Sequence, residues 1–256
     1  MARENRSVTN LAGKRAVITG SSRGIGKAIA LELAAAGAGV VVHGGHDEEA
    51  LQQAAREIEQ RGVECTAVVA DLSTVAGCER LTASACGSGV PDIWVNNAGV
   101  DVLTGPAEAW DFQRKLAALL EVDVCATVHL TRAVGARMKE RGEGVILNIG
   151  WDQADVGMSG DSGEMFAATK GAVMAFTRSA AKSLAPEVRV NCIAPGWIRT
   201  AWGEHASDYW QDRAVNESLL QRWGTAEDIA STAHFLVSAG AAFITGQVLH
   251  VNGGDA

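Results

Sequence analysis

The 256-residue chain has little proline and almost no tyrosine: four prolines, and Tyr209 alone. No Ser/Gly/Pro-rich linker, internal repeat or low-complexity tract divides it, so one domain spanning 1–256 is expected. Long hydrophobic runs are also missing. The longest apolar stretch, Leu33 to Val42, falls far short of the roughly 18 residues of a membrane span. The opening MARENRSVTN carries charges with no apolar segment behind them, which argues against a secretory signal. Basic residues are outnumbered, 22 Lys+Arg against 30 Asp+Glu, giving a formal charge of −8 with no basic run. That balance speaks against nucleic acid or a membrane surface as a partner. The five cysteines (Cys65, Cys78, Cys86, Cys125 and Cys192) are odd in number and lack CxxC spacing. They read as reduced thiols of a cytoplasmic protein, not a disulfide frame or a metal site.

What the chain does have is alternation. Short β-branched runs (Ala16–Thr19, Gly39–His43, Cys65–Val69, Ile93–Asn96, Val145–Ile149, Val188–Ile193, Val248–Val251) alternate with longer amphipathic stretches such as Gly24–Ala36, Asp47–Gln60, Phe112–Arg141 and Gly163–Leu184. Strands apolar on both faces and separated by helices predict a parallel sheet covered on both sides, a doubly wound α/β domain.

The first strand runs into Thr19-Gly20-Ser21-Ser22-Arg23-Gly24-Ile25-Gly26 and then a helix. Gly20 permits a tight turn, Gly24 lets the backbone approach a pyrophosphate, and Gly26 lets helix and strand pack closely. The phosphates would sit on free N–H groups at the helix N-terminus. NAD-binding proteins place an acid at the end of the second strand to bind the ribose 2′-hydroxyl. Here the strand ends Val42-His43-Gly44-Gly45-His46, with Gly44 in the acidic position and Arg23 available to pair with a 2′-phosphate, so NADP(H) is preferred over NAD(H). His43 and His46 stand either as helpers to that phosphate or as incidental residues. Asp47 reads as the N-cap of the next helix.

The turn TGSSRGIG, Asp71-Leu72, Asn96-Asn97-Ala98-Gly99, Lys170 at the end of FAATK, and Pro195-Gly196 together resemble the short-chain dehydrogenase/reductase family. The likeness runs from about Leu11 to Gly254 and is closest in character to the acyl-carrier-protein ketoreductase branch. It implies a seven-stranded Rossmann sheet and a homo-oligomer, dimer or tetramer. It places pyrophosphate on Gly20 through Gly26 (Ser22, Arg23, Gly24 and Ile25 included), and adenine beside Asp71 and Leu72. Asn97, Ala98 and Gly99 would flank the adenosine end, and Pro195, Gly196, Ile198 and Thr200 the nicotinamide. The Asn96–Gly99 run also reads as a strand-end turn that holds the sheet.

The resemblance breaks at the chemistry. The family uses a Tyr that exchanges a proton, a Lys four residues on, a Ser that bonds the substrate oxygen, and an Asn in the preceding long helix. Lys170 is present, but Phe166 stands for the Tyr, Trp151 for the Ser and Asp123 for the Asn. Asp152 competes with Trp151 for the Ser position. Phe has no transferable proton, and an indole N–H donates a hydrogen bond only. Asp152, pressed against Trp151 and Met158, is a candidate substitute acid through desolvation. Asp161 and Glu164 read as a capping box. Asp123 reads as a charge partner of Lys170, which in turn reads as a ribose-binding residue.

Five of the seven tryptophans (Trp151, Trp197, Trp202, Trp210 and Trp223) fall in or after the site region. They suggest either a pocket for a small apolar or aromatic substrate or packing at a subunit interface. Trp151, Phe166, Trp197 and Trp202 are the candidate substrate residues, with a substrate loop over 197–222; Arg199 and His205 are open candidates for an acidic group. Three functions stand at this level. The first is an NADP(H)-dependent oxidoreductase with an atypical site, reducing a carbonyl, imine or enone. The others are a nucleotide-binding homologue without turnover, and a non-redox lyase or isomerase reusing the pocket.

Overall fold

The computed structural model describes residues 9–255, apart from the side chains of Trp202 and His205, so the substrate role expected of Trp202 lies outside the described residues. The β-branched runs form β1 (Arg15–Ile18), β2 (Gly39–Gly44), β3 (Cys65–Val69), β4 (Ile93–Asn96), β5 (Gly144–Ile149), β6 (Val188–Pro195) and β7 (Val248–Val251). They make one all-parallel seven-stranded sheet in the order β3-β2-β1-β4-β5-β6-β7. The helices are α1 (Gly24–Ala35), α2 (Glu48–Glu59), α3 (Val75–Cys86), α4 (Phe112–Leu119), α5 (Thr127–Arg141), α6 (Gln153–Val156), α7 (Asp161–Leu184), α8 (Ala201–His205), α9 (Asp208–Asn216) and α10 (Ala226–Val237).

The period-2 alternation of each strand splits the core. Ala16 and Ile18 of β1 face α1, α2 and α10, whereas Val17 between them faces α3, α5 and α7. Both layers are apolar, which is why the strands read as continuous hydrophobic runs. Strand order reverses between β1 and β4, and the loops leaving the carboxyl ends of those strands open the crevice in which such sheets bind ligands.

The stretch Phe112–Arg141, expected as one helix, is interrupted by a π-helical turn over Leu120–Ala126. Apolar spacing hardly registers one extra residue in a turn, so the break escapes a periodicity reading. A buried polar relay ties the sheet to the helices behind this turn. Asn96 Nδ2 donates to Thr131 Oγ1 at 2.9 Å and to Asn148 Oδ1 at 2.8 Å, and Asn148 Nδ2 donates to Thr177 Oγ1 at 2.9 Å. With every member paired, it fixes β4 and β5 against α5 and α7.

Candidate active site

The glycine turn is held from three sides. Asn97 Nδ2 donates to the carbonyls of Thr19 and Gly20 at 3.0 and 2.9 Å, and the Asn97 and Ala98 N–H groups both donate to Thr19 Oγ1 at 2.9 Å. Gly20 has φ +64°, and a Cβ there would come within 2.7 Å of Ala98 Cα; a Cβ on Gly26 would come within 2.3 Å of the Gly20 carbonyl oxygen. No side chain caps α1, whose N-cap is Arg23, so its first N–H groups point out of the turn unclaimed by a cap.

A cavity of about 440 Å³ opens beside this turn. Gly20, Ser22 and the exposed Arg23 line one side; Asp71 and Leu72 line another, and Asn97, Ala98 and Gly99 a third. Of the Gly20–Gly26 run, Gly24 and Gly26 shape the turn without lining this cavity, and Ile25 lines its neighbour. Gly44, Gly45, His46 and Asp47 close the β2 end. Asp47 caps α2 through the Ala50 N–H at 3.0 Å. Hydrogen bonds from the Ser73 hydroxyl and N–H hold the Asp71 carboxyl below its usual range.

His43 is no exposed phosphate ligand. It is 2% exposed, accepts the Gly20 N–H at Nδ1 (3.1 Å) and reaches the Ala70 carbonyl with Nε2 (2.9 Å). Those contacts require the neutral Nε2–H tautomer. Burial pushes its pKa below the ordinary 6.5, against the Ala70 bond. A histidine at a strand end gives no sequence sign of this role, which appears only when the ends of β1, β2 and β3 meet.

A second cavity of about 570 Å³ adjoins the first. Pro195, Gly196, Ile198 and Thr200 line one flank with Ile25, and Lys170 stands in its wall. Trp151, Phe166, Trp197 and Trp210 give it an aromatic lining. Trp151 and Phe166 meet edge to face at 6.1 Å between centroids, and Trp197 and Trp210 lie 5.5 Å apart. The Trp197 indole N–H donates to Glu217 at 2.8 Å, which fixes its ring. Trp223 is buried against Trp197 and does not line the cavity. Tyr209 is 64% exposed, meets Trp210 edge to face and does not line the cavity either.

Lys170 Nζ lies 2.8 Å from Asp123 Oδ2 and 3.4 Å from the Ile149 carbonyl. The other carboxylate oxygen of Asp123 accepts the Val100 N–H at 3.0 Å. The π-helical turn therefore delivers a carboxylate, 2% exposed, to the only ammonium among the described residues lining this cavity.

Asp152 departs from the expected substitute acid. Its backbone N–H donates to the Pro195 carbonyl at 3.1 Å, and its carboxylate accepts from the Gln153 N–H at 2.7 Å and from Asn252 Nδ2 at 3.2 Å. A Cβ on Gly196 would come within 3.1 Å of Asp152 Oδ2, so the carboxylate packs behind the Gly196 backbone and does not line the cavity. Burial pushes its pKa above the usual carboxylate range, against the hydrogen bonds from Asn252 and Gln153. Trp151, not Asp152, takes the cavity-facing position. Asp161 departs too: Gly160 is the N-cap of α7, with no side-chain cap bond, and Asp161 and Ser162 face the cavity.

A family model described as Enoyl-(Acyl carrier protein) reductase matches residues 20–255. The 3-oxoacyl-[acyl-carrier-protein] reductase FabG of Staphylococcus aureus is 34% identical over 250 residues, covering 94% of this chain and 97% of its own. Among solved structures, one from Beutenbergia cavernae described as a putative NAD(P)-dependent gluconate 5-dehydrogenase with NADP bound at low occupancy superposes with TM-score 0.87 at 35% identity, covering 97% of this chain and 98% of its own. A 7α-hydroxysteroid dehydrogenase complexed with NADH and 7-oxo glycochenodeoxycholic acid gives TM-score 0.89 at 32% identity, covering 98% of each chain. The chain belongs to the short-chain dehydrogenase/reductase family, whose members it resembles are oxidoreductases. Among the described residues, no helix is long and apolar enough to cross a membrane.

Proposed function

We propose that the chain is an NADP(H)-preferring reductase whose site lacks the family's usual proton donors and acts on a carbonyl, imine or enone of a small apolar or aromatic substrate. The observation that carries this reading is the intact nucleotide cradle, Gly20 and Gly26 packed with no room for a Cβ, running directly into the aromatic cavity that holds Lys170. The residues present fit a dinucleotide. Gly20, Ser22, Arg23 and the uncapped start of α1 would hold the pyrophosphate, and Asp71, Leu72 and Asn97–Gly99 the adenosine. Lys170, Pro195, Gly196, Ile198 and Thr200 would flank the nicotinamide. A cofactor bound there supplies a hydride. With Gly44 at the end of β2 and the exposed Arg23 across the cavity, a 2′-phosphate meets a cation; Asp47, although nearby, is engaged as the α2 cap.

Trp151, Phe166, Trp197 and Trp210 give the roughly 570 Å³ cavity an aromatic lining suited to an apolar or aromatic substrate. Asp152 anchors the β5–α6 loop to Gln153 and Asn252. Exposed Phe243 and Leu249, the latter on the edge strand β7, support a homo-oligomer. The test is NADPH oxidation by purified protein across matched ketone, imine and enone acceptors. Turnover with at least one class supports the reading. Tight NADPH binding with none favours a nucleotide-binding subunit, for which the Lys170–Asp123 pair is the supporting observation.

A further inference from the structure

Resting on that reading, we propose that the aromatic cavity selects a planar organic cation, and that the electrophile it presents to the hydride is an iminium. Four aromatic rings, Trp151, Phe166, Trp197 and Trp210, line one space. Aromatic rings that line a cavity attract cations through their quadrupoles. Asp161, on the first turn of α7, lines the same cavity and enters no ion pair among the described residues. Lys170 is compensated by Asp123 at 2.8 Å, so the carboxylate of Asp161 is left as the unbalanced charge. Arg213, which stacks over Trp197 and Trp210 but does not line the cavity, is paired with Glu217 at 2.6 Å.

The same residues explain why a cation suits the chemistry. Reduction of a ketone leaves an alkoxide that must be protonated, and a Phe and a Trp stand where the family keeps its Tyr and Ser. The Lys170 ammonium is engaged by Asp123 and the Ile149 carbonyl. An iminium removes the requirement. Its carbon accepts the hydride, the C=N π pair becomes the nitrogen lone pair, and a neutral tertiary amine results while the reduced nicotinamide is oxidised. No proton is transferred.

The experiment compares two isosteric probes, N-methylquinolinium and 1-methylnaphthalene, by quenching of tryptophan fluorescence, alone and with NADP+. The cation should bind about tenfold more tightly, within the range of cation–π attraction. Asp161→Asn should remove much of that preference, and Trp151→Leu should weaken the cation more than the neutral probe, with both variants retaining native circular dichroism. Equal or tighter binding of the neutral probe, or an unchanged preference in Asp161→Asn, overturns the proposal. Turnover follows with N-methyl-3,4-dihydroisoquinolinium against α-tetralone. Preferential reduction of the iminium supports the proposal; reduction of the ketone alone overturns it while leaving the reductase reading intact. If the cation preference holds and neither acceptor is reduced, the cation site stands and the reductase reading fails.

Discussion

The Lys170 ammonium and the Asp123 carboxylate meet at 2.8 Å in the cavity wall, with the Asp123 side chain only 2% exposed. A carboxylate brought by a π-helical turn compensates the one ammonium among the described residues lining the aromatic cavity, and it also ties the turn to the Val100 N–H.

Removing the partner should therefore be costly. Asp123→Ala leaves the Lys170 ammonium and the Val100 N–H without their acceptor and should destabilise the protein by about 3–5 kcal/mol in urea unfolding. Asp123→Asn keeps an acceptor oxygen for Val100 and should lose less than half as much. Equal losses in the two variants would contradict the assigned role.

The phenol that the family resemblance implies at position 166 can be supplied. Phe166→Tyr sets a phenol one helical turn before Lys170, on the same face of α7. Alone it should raise ketone reduction only slightly, because Lys170 is engaged by Asp123. Combined with Asp123→Asn and Trp151→Ser, the gain should approach the roughly 10²–10⁴-fold of a positioned acid. Steady-state kcat on a simple ketone measures it, and a full gain from Phe166→Tyr alone would show that Asp123 does not restrain the lysine.

Asp152→Asn should leave NADPH affinity and turnover within about twofold of the parent, since its carboxylate packs behind Gly196 and outside the cavity. Asp152→Ala should cost about 1 kcal/mol of stability through the lost bond to Gln153. A drop of a hundredfold in kcat for Asp152→Asn would restore it as the proton donor.

The His43 pair of bonds predicts a pH dependence. A base buried in its neutral form has a depressed pKa, so below the ordinary 6.5 the unfolded chain binds a proton that the native chain does not. Stability from His43 is complete above that value and is lost as the pH falls toward the depressed one. Protonation also removes the Nδ1 acceptor of the Gly20 N–H, so cofactor affinity should fall over the same window. His43→Asn should flatten both profiles, measured by urea unfolding and NADPH titration between pH 5 and 8, the span in which histidine titrates.

Much of this was open to a sequence reading, for physical reasons. Strands buried on both faces leave unbroken β-branched runs such as Gly39–His43, and the glycine turn needs residues without side chains at fixed offsets, so sheet and nucleotide cradle are visible in the chain. The Asp123–Lys170 pairing is visible as two unlike charges on neighbouring elements. Which of Trp151 and Asp152 faces the cavity is not, because a half-turn of loop decides it. Nor is the cap of α7: Asp161 and Glu164 have capping-box spacing, yet the turn is entered through Gly160, whose φ of +90° only glycine takes readily. His43 stays hidden for a third reason, since its partners Gly20 and Ala70 lie 23 and 27 residues away.

The proposed NADP(H) cradle is probed by fluorescence titration with NADPH and with NADH. Micromolar binding of NADPH, weaker binding of NADH, and loss of the difference in Arg23→Ala are expected. Failure of the correctly folded protein to bind either nucleotide would contradict it.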